Sequence, residues 1–176
     1  LANAIHTCQA CGLCQQRQQA VVGVGDRQAQ WLIVGEAPGA EEDKRGEPFV
    51  GKAGQLLDSM LHSVGQRRRQ GVYIANVLKC RPPNNRNPEP NEIIQCRPFL
   101  QRQIALLQPE LIVAVGKFAA QTLLNTDTAI SRLRGQWHDY AGIPLLATFH
   151  PAYLLRSPRE KAKAWQDWLQ VAQHAW

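Results

Sequence analysis

Four short apolar runs, at residues 31–34, 72–77, 111–115 and 144–148, are separated by stretches whose apolar residues recur at helical spacing. Runs of four to six residues, rich in Val, Ile and aromatics and bounded by turn formers, are strand-sized. Strands that alternate with helices predict a parallel sheet, because a parallel connection needs a crossover long enough to cover one face of the sheet. The expected fold is therefore α/β, a three-layer α/β/α arrangement around a central, mainly parallel four-stranded sheet. Between the strands, Leu56, Leu57, Met60, Leu61 and Val64 predict a helix over 52–64 that ends at Gly65. Asn91 and Glu92 open a second, carrying Ile93, Ile94, Phe99, Leu100 and Ile104. Residues 118–124 form a short third helix, and 160–174 an amphipathic closing one with Trp165, Trp168 and Val171. Residues 40–48 read as a polar loop, and the prolines of 81–90 forbid a helix there.

With 44% apolar and 19% charged residues in a chain of 176, neither disorder nor a disulfide-stapled miniprotein fits. One domain over 1–176 is expected, with residues 1–30 as an irregular N-terminal arm. No apolar run approaches the roughly 18 residues of a membrane span, and no basic segment leads into an apolar stretch at the start. The expectation is a cytoplasmic protein without membrane contact. Five cysteines, an odd number, in such a compartment favour metal or cluster ligation over disulfides. The excess of six positive charges hints at a polyanionic partner.

In an open parallel sheet the ligand site lies beyond the carboxyl ends of the strands. The residues at those positions include Gly35, Glu36 and Ala37 after the first run, Asn76 at the end of the second, and His150 just after the fourth. A carboxylate, a carboxamide and an imidazole thus share one rim, with glycines that allow close backbone approach. The cysteines form a second constellation. Cys8 and Cys11 sit on one CxxC turn, while Cys80 and Cys96 bracket the proline-rich loop, a set that suits tetrahedral zinc or an iron-sulfur cluster equally well. Gly46-x4-Gly51-Lys52 imitates a phosphate-binding loop, but Ala53 stands where Ser or Thr must hold magnesium and no strand precedes it. Nucleotide hydrolysis is set aside.

Four strings, GEAPGAEED at 35–43, GEPFVG at 46–51, NVLKCRPP at 76–83 and HPAYLLR at 150–156, resemble the motifs of the family 4, iron-sulfur-containing uracil-DNA glycosylases. The resemblance extends over nearly the whole chain and keeps the family's order. It implies a monofunctional enzyme, active as a monomer, that hydrolyses the bond between uracil and deoxyribose in DNA and leaves an abasic site. It implies a structural 4Fe-4S cluster on Cys8, Cys11, Cys80 and Cys96, with Cys14 extra, and no nucleotide cofactor or divalent metal. By the same resemblance Asn76 reads the uracil edge, Phe49 stacks on the extruded base, and Gly35 and Ala37 cradle the pyrimidine. His150 donates to the base oxygen, and Glu36, ranked above Glu42, places the water. Leu154 or Leu155 wedges into the duplex, and Arg156 and Arg86 meet phosphate. Lys79, Arg81, Lys117, Arg132 and Arg134 are further phosphate candidates, whereas the run Arg67, Arg68, Arg69 reads as solvated charge. The proline-rich loop lacks the reactive histidine of the covalently trapping relatives, so turnover is expected. The competing readings are a glycosylase for hypoxanthine or xanthine and a non-catalytic DNA-binding module.

Overall fold

The computed structural model describes residues 1–174. In chain order the strands are β1 (Val24–Gly25), β2 (Trp31–Gly35), β3 (Val72–Asn76), β4 (Leu111–Val115), β5 (Trp137–Tyr140) and β6 (Ile143–Thr148). The helices are α1 (Ala2–His6), α2 (Ala40–Arg45), α3 (Lys52–Ser63), α4 (Pro90–Leu107), α5 (Lys117–Leu124), α6 (Ile130–Leu133), α7 (Pro151–Arg156) and α8 (Lys161–His174). The sheet runs β1-β3-β2-β4-β6-β5. Its four central strands, β3, β2, β4 and β6, are mutually parallel and are the four that the sequence predicts.

Two antiparallel edge strands complete it. β1 is only two residues long, one of them glycine, too short to leave a periodic signal. β5 alternates exposed and half-buried residues and returns to β6 through Ala141 and Gly142, both at positive φ, as a tight hairpin turn requires.

The central strands are apolar without alternation because both faces are covered. Leu32, Val34, Ala75, Ile112, Ala114, Leu145 and Ala147 pack into one core with Leu100 and Ile104 of α4 and Ala119 and Ala120 of α5. Trp31, Ile33, Val72, Ile74, Val113 and Leu146 face the other way, onto Leu57 and Leu61 of α3 and Trp168 and Val171 of α8. Successive residues of one strand thus feed opposite layers, and no polar face remains to break the run.

Two local expectations change. Residues 40–45 form α2 rather than a loop, since Glu42 reaches back to accept the Gly39 amide and Gly46, at φ 72°, ends the helix. α4 starts one residue before Asn91, at Pro90, a residue whose missing amide costs nothing in the first turn. There the Glu92 carboxylate accepts the Glu89 amide, and Arg86 grips it with both guanidinium nitrogens at 2.8 Å. Among the described residues no helix is long and apolar enough to cross a membrane.

Candidate active site and cysteine cavity

β3 and β2 are neighbours and β6 lies one strand further, across β4; beyond the carboxyl ends of this parallel set lies a pocket of about 130 Å³. Ala37, Glu42, Phe49, Gly51, Gly54, Asn76 and His150 line it, together with Lys52 and Ala53. Gly35 and Asn76 are register partners across β2 and β3. A side chain at 35 would strike both the Phe49 ring and the Asn76 amide oxygen, with a Cβ only 2.5 and 2.6 Å from them. The glycine therefore lets the ring and the amide close on one space.

Asn76 is 2% exposed, and its Oδ1 is a buried acceptor with no hydrogen-bond partner among the described residues. An orphaned buried acceptor costs free energy unless something arrives to satisfy it. His150 stands across the pocket as the N-cap of α7, its Nδ1 accepting the Ala152 amide at 3.0 Å. That bond leaves the proton on Nε2, so the free nitrogen is a donor. Burial, aided by the Arg156 charge, pushes the imidazole down to about 4, which keeps it neutral near pH 7. Thr148, two residues before it, donates to the buried Asp167 at 2.7 Å, and Asp167 is held in turn by Arg134.

The Phe49 ring lies 5.4 Å from that of His150, nearly stacked. Its backbone is left-handed, at φ 54°, a conformation that costs a bulky residue about 1–3 kcal/mol and persists only where the surroundings enforce it. Gly54 lies beneath, where a Cβ would fall on the Phe49 carbonyl. The loop around Phe49 is also tied through Glu42, whose Oε2 accepts the amides of Val50 and Gly51 at 2.9 Å each. The look-alike of a phosphate loop thus binds an anion after all, and the anion is the chain's own Glu42. Glu36 is not a wall of the pocket. Burial raises its carboxyl above the usual range, while Arg156 and Lys117 pull it back.

The DNA-contact candidates separate by burial. Leu155 is 44% exposed, whereas Leu154 is buried with Phe149 and Ala164 and anchors α7 instead. Arg156 and Lys117 are exposed at the rim, and Arg86 is engaged with Glu92. Arg134 is committed to Asp167. Lys79 is fully buried, donating to the Asn76 carbonyl and to Gln103, and desolvation lowers it to about 8. Lys79 is therefore out of reach of a phosphate, and the charge of Arg134 is already paired.

Arg68 was expected to be solvated. It is instead turned inward, its side chain 15% exposed, and donates to the carbonyls of Pro48 and Phe49. Nothing in the run of three arginines distinguishes it, because only the fold decides which one faces the loop. Gly54, by contrast, carried a readable signal: a glycine inside an otherwise regular helix marks a close backbone approach.

On the α4 side of the sheet a separate cavity is lined by Cys8, Cys11, Cys14, Cys80 and Cys96, with Ile5, Leu13, Leu78 and Phe99 as its apolar wall. All five thiols are free. Burial pushes the Cys96 thiol up to about 11 and raises Cys11 and Cys80, although Arg17, donating to the Cys80 sulfur at 3.0 Å, opposes the shift there. Five thiols facing one hollow exceed what packing requires, and a positively charged inorganic core that takes them as thiolates would offset the cost of burying their charge. Among the described residues no set of three or more Cys, His, Asp or Glu closes around a single ion. The cysteines ring a cavity rather than meet at a point.

The sequence model of the Uracil DNA glycosylase superfamily matches residues 22–169 of this chain. A type-4 uracil-DNA glycosylase of Archaeoglobus fulgidus is 41% identical over 98% of this chain and 90% of its own length. One from Thermotoga maritima is 45% identical, covering 89% and 82%. A type-5 uracil-DNA glycosylase of Thermus thermophilus is 33% identical, covering 74% and 68%.

Proposed function

The chain belongs to the uracil-DNA glycosylase superfamily, and from that premise we propose that it excises uracil from DNA by hydrolysis, as a repair enzyme of the type-4 kind. The observation that carries the reading is the pairing, in the lining of one pocket, of the orphaned Asn76 amide oxygen with an imidazole held neutral, its proton on Nε2.

In this mechanism the uracil nucleotide is extruded from the helix and its base enters the pocket beside Phe49. Asn76 presents an acceptor and a donor on one amide, which complements the N3–H and O4 of uracil; cytosine reverses that order and leaves both atoms mismatched. As the bond from C1′ to N1 lengthens, the electron pair moves into the base and charge gathers on its O2. The Nε2–H of His150 donates to that oxygen, which stabilises the uracil anion without giving up the proton. Water adds to C1′ and gives a proton to the carboxylate that holds it, which returns it to the departing uracil anion or to solvent, leaving an abasic sugar and free uracil. We assign the water to Glu36 rather than Glu42. The carboxylate of Glu42 is occupied by three backbone amides, whereas that of Glu36, raised by burial, has no hydrogen-bond partner among the described residues. Glu42 is then a fixed wall of the pocket. Leu155 fills the gap left by the extruded base, and Arg156 and Lys117 meet the flanking phosphates.

The residues of the second cavity fit a 4Fe-4S cluster. Cys8, Cys11, Cys80 and Cys96 are its proposed ligands, with Cys14 at the margin. Such a cluster supplies structural cross-linking of the N-terminal arm to the loop that follows β3 and takes no part in the hydrolysis. We read the chain as one domain acting as a monomer.

The test is a strand-cleavage assay after alkali on matched oligonucleotides carrying uracil, hypoxanthine or thymine. Release of uracil alone, abolished in His150→Ala, is the expected result. Preferred release of hypoxanthine, or no release by folded protein that still binds DNA, overturns the reading.

A further inference from the structure

We infer that Arg68 is a positioning residue for uracil selection, clamping the backbone on either side of Phe49 so that its ring stays in place as a wall of the pocket. The inference rests on the reading of that pocket as the uracil site.

The segment 46–51 joins α2 to α3 without regular structure of its own, yet it must hold Phe49 in a left-handed conformation. Two opposite charges grip it from two sides. The carboxylate of Glu42 takes the amides of Val50 and Gly51, the pair that follows Phe49. The guanidinium of Arg68 gives Nη1 to the carbonyl of Pro48 at 2.7 Å and Nη2 to the carbonyl of Phe49. Consecutive carbonyls of an extended chain point to opposite sides, so one planar fork reaches both only when the residue between them is coiled. The rigid, always charged fork of arginine is therefore matched to the unusual backbone of Phe49, and a lysine offers only one point donor. Arg68 is itself aimed by Asp58 at 2.9 Å and Glu47 at 3.5 Å, and its side chain is 15% exposed against 60% for Arg69.

Without the clamp the carbonyls of 48 and 49 lose their charged partner, and the left-handed turn relaxes toward an extended one. The ring would then leave the space beside Gly35 and His150. Arg68 does not itself line the pocket; its effect passes through the main chain of Pro48 and Phe49.

The experiment measures single-turnover uracil release, steady-state KM and DNA affinity for Arg68→Ala, Arg68→Lys, Phe49→Ala, the double variant Arg68→Ala/Phe49→Ala, and Arg67→Ala as the exposed neighbour. Arg68→Ala should lose about ten- to a hundredfold in rate, the usual effect of misplacing a substrate-contacting group by an ångström. DNA affinity and KM should stay within about twofold, because phosphate contacts set them. Arg68→Lys should recover part of the loss, Arg67→Ala should match the unaltered protein, and the double variant should be no slower than Phe49→Ala alone. If Arg68→Ala does not fold, Arg68→Lys decides, with a several-fold fall in rate at unchanged KM. Unaltered rates in folded Arg68 variants, or losses that multiply in the double variant, overturn the inference alone. An unaltered protein that releases no uracil overturns the reading of the pocket, and the clamp's role in selection with it.

Discussion

The rim pocket and the cysteine cavity are both gathered from distant parts of the sequence, yet they are held together in opposite ways. The pocket is set by the backbone: Gly35, Asn76 and His150 each end or follow a buried strand, and the sheet register fixes their spacing. Phe49 is added by a loop that Glu42 and Arg68 pin through main-chain atoms. The cysteine cavity has no such frame. Cys8 and Cys11 lie on an arm outside the sheet, tied to the body by side chains such as Ile5 and Leu13 in the core, Arg17 on Cys80 and Gln18 on Asp43. A pocket built on strand ends is ready before any ligand arrives, whereas the cysteine cavity is ringed by one buried and four half-buried thiols that meet no common partner among the described residues.

The largest expected effect separates the two most sharply. Asn76→Ala should lower uracil release by about 10²- to 10³-fold, in the range seen for removal of a single transition-state donor, with DNA affinity unchanged. Equal losses of rate and affinity would break the assignment of Asn76 as the base reader.

Cys80→Ser should do the reverse. Iron content and melting temperature fall together and proteases cut within residues 8–20, while the preference of uracil over thymine survives in the folded fraction. Loss of that preference would show that the cavity shapes the pocket.

Leu155→Ala should slow release a few-fold from duplex DNA and hardly at all from single strands, since only the duplex leaves a gap to fill. An equal effect on both substrates would remove the wedge.

The smallest effect is the acid limb of the pH profile. Burial lowers His150 to about 4 against about 6.5 for a free imidazole, so its protonation should not limit activity near neutral pH; the acid limb begins with Glu36, whose carboxyl burial raises above the usual range, and His150 adds a further fall only near pH 4. The stability that neutral His150 contributes is present above 6.5 and is lost as pH falls from there toward 4, because the unfolded chain takes up the proton first. A midpoint near 6.5 in single-turnover rates would mean that the imidazole is not desolvated.

Much of this was legible in the chain. The central strands announced themselves as continuous apolar runs because the sheet is covered on both faces, and the rule that ligands gather beyond strand ends singled out Asn76 and His150, which line the pocket, together with Glu36, which does not. The edge strands were hidden by their brevity and exposure, and α2 by the polarity of a helix that buries little besides Asp43. Leu154 and Leu155 are indistinguishable as letters, yet one faces the core and the other solvent. Arg68, Lys79 and Arg134 share the same ambiguity, since a cation in a sequence carries no sign of whether it will meet water, a phosphate or a carbonyl.

The sequence by itself therefore determined the α/β alternation, the rim on which the chemistry sits and the cysteines that could share a ligand, because hydrophobic periodicity, turn chemistry and donor type are local properties. Only the tertiary structure decided which charges are spent inside: Glu42 on three amides, Arg68 on two carbonyls, Arg134 on Asp167, and Lys79 on the main chain of Asn76. A polar side chain has no meaning until the fold brings its partner within about 3 Å and excludes the water that would otherwise satisfy it.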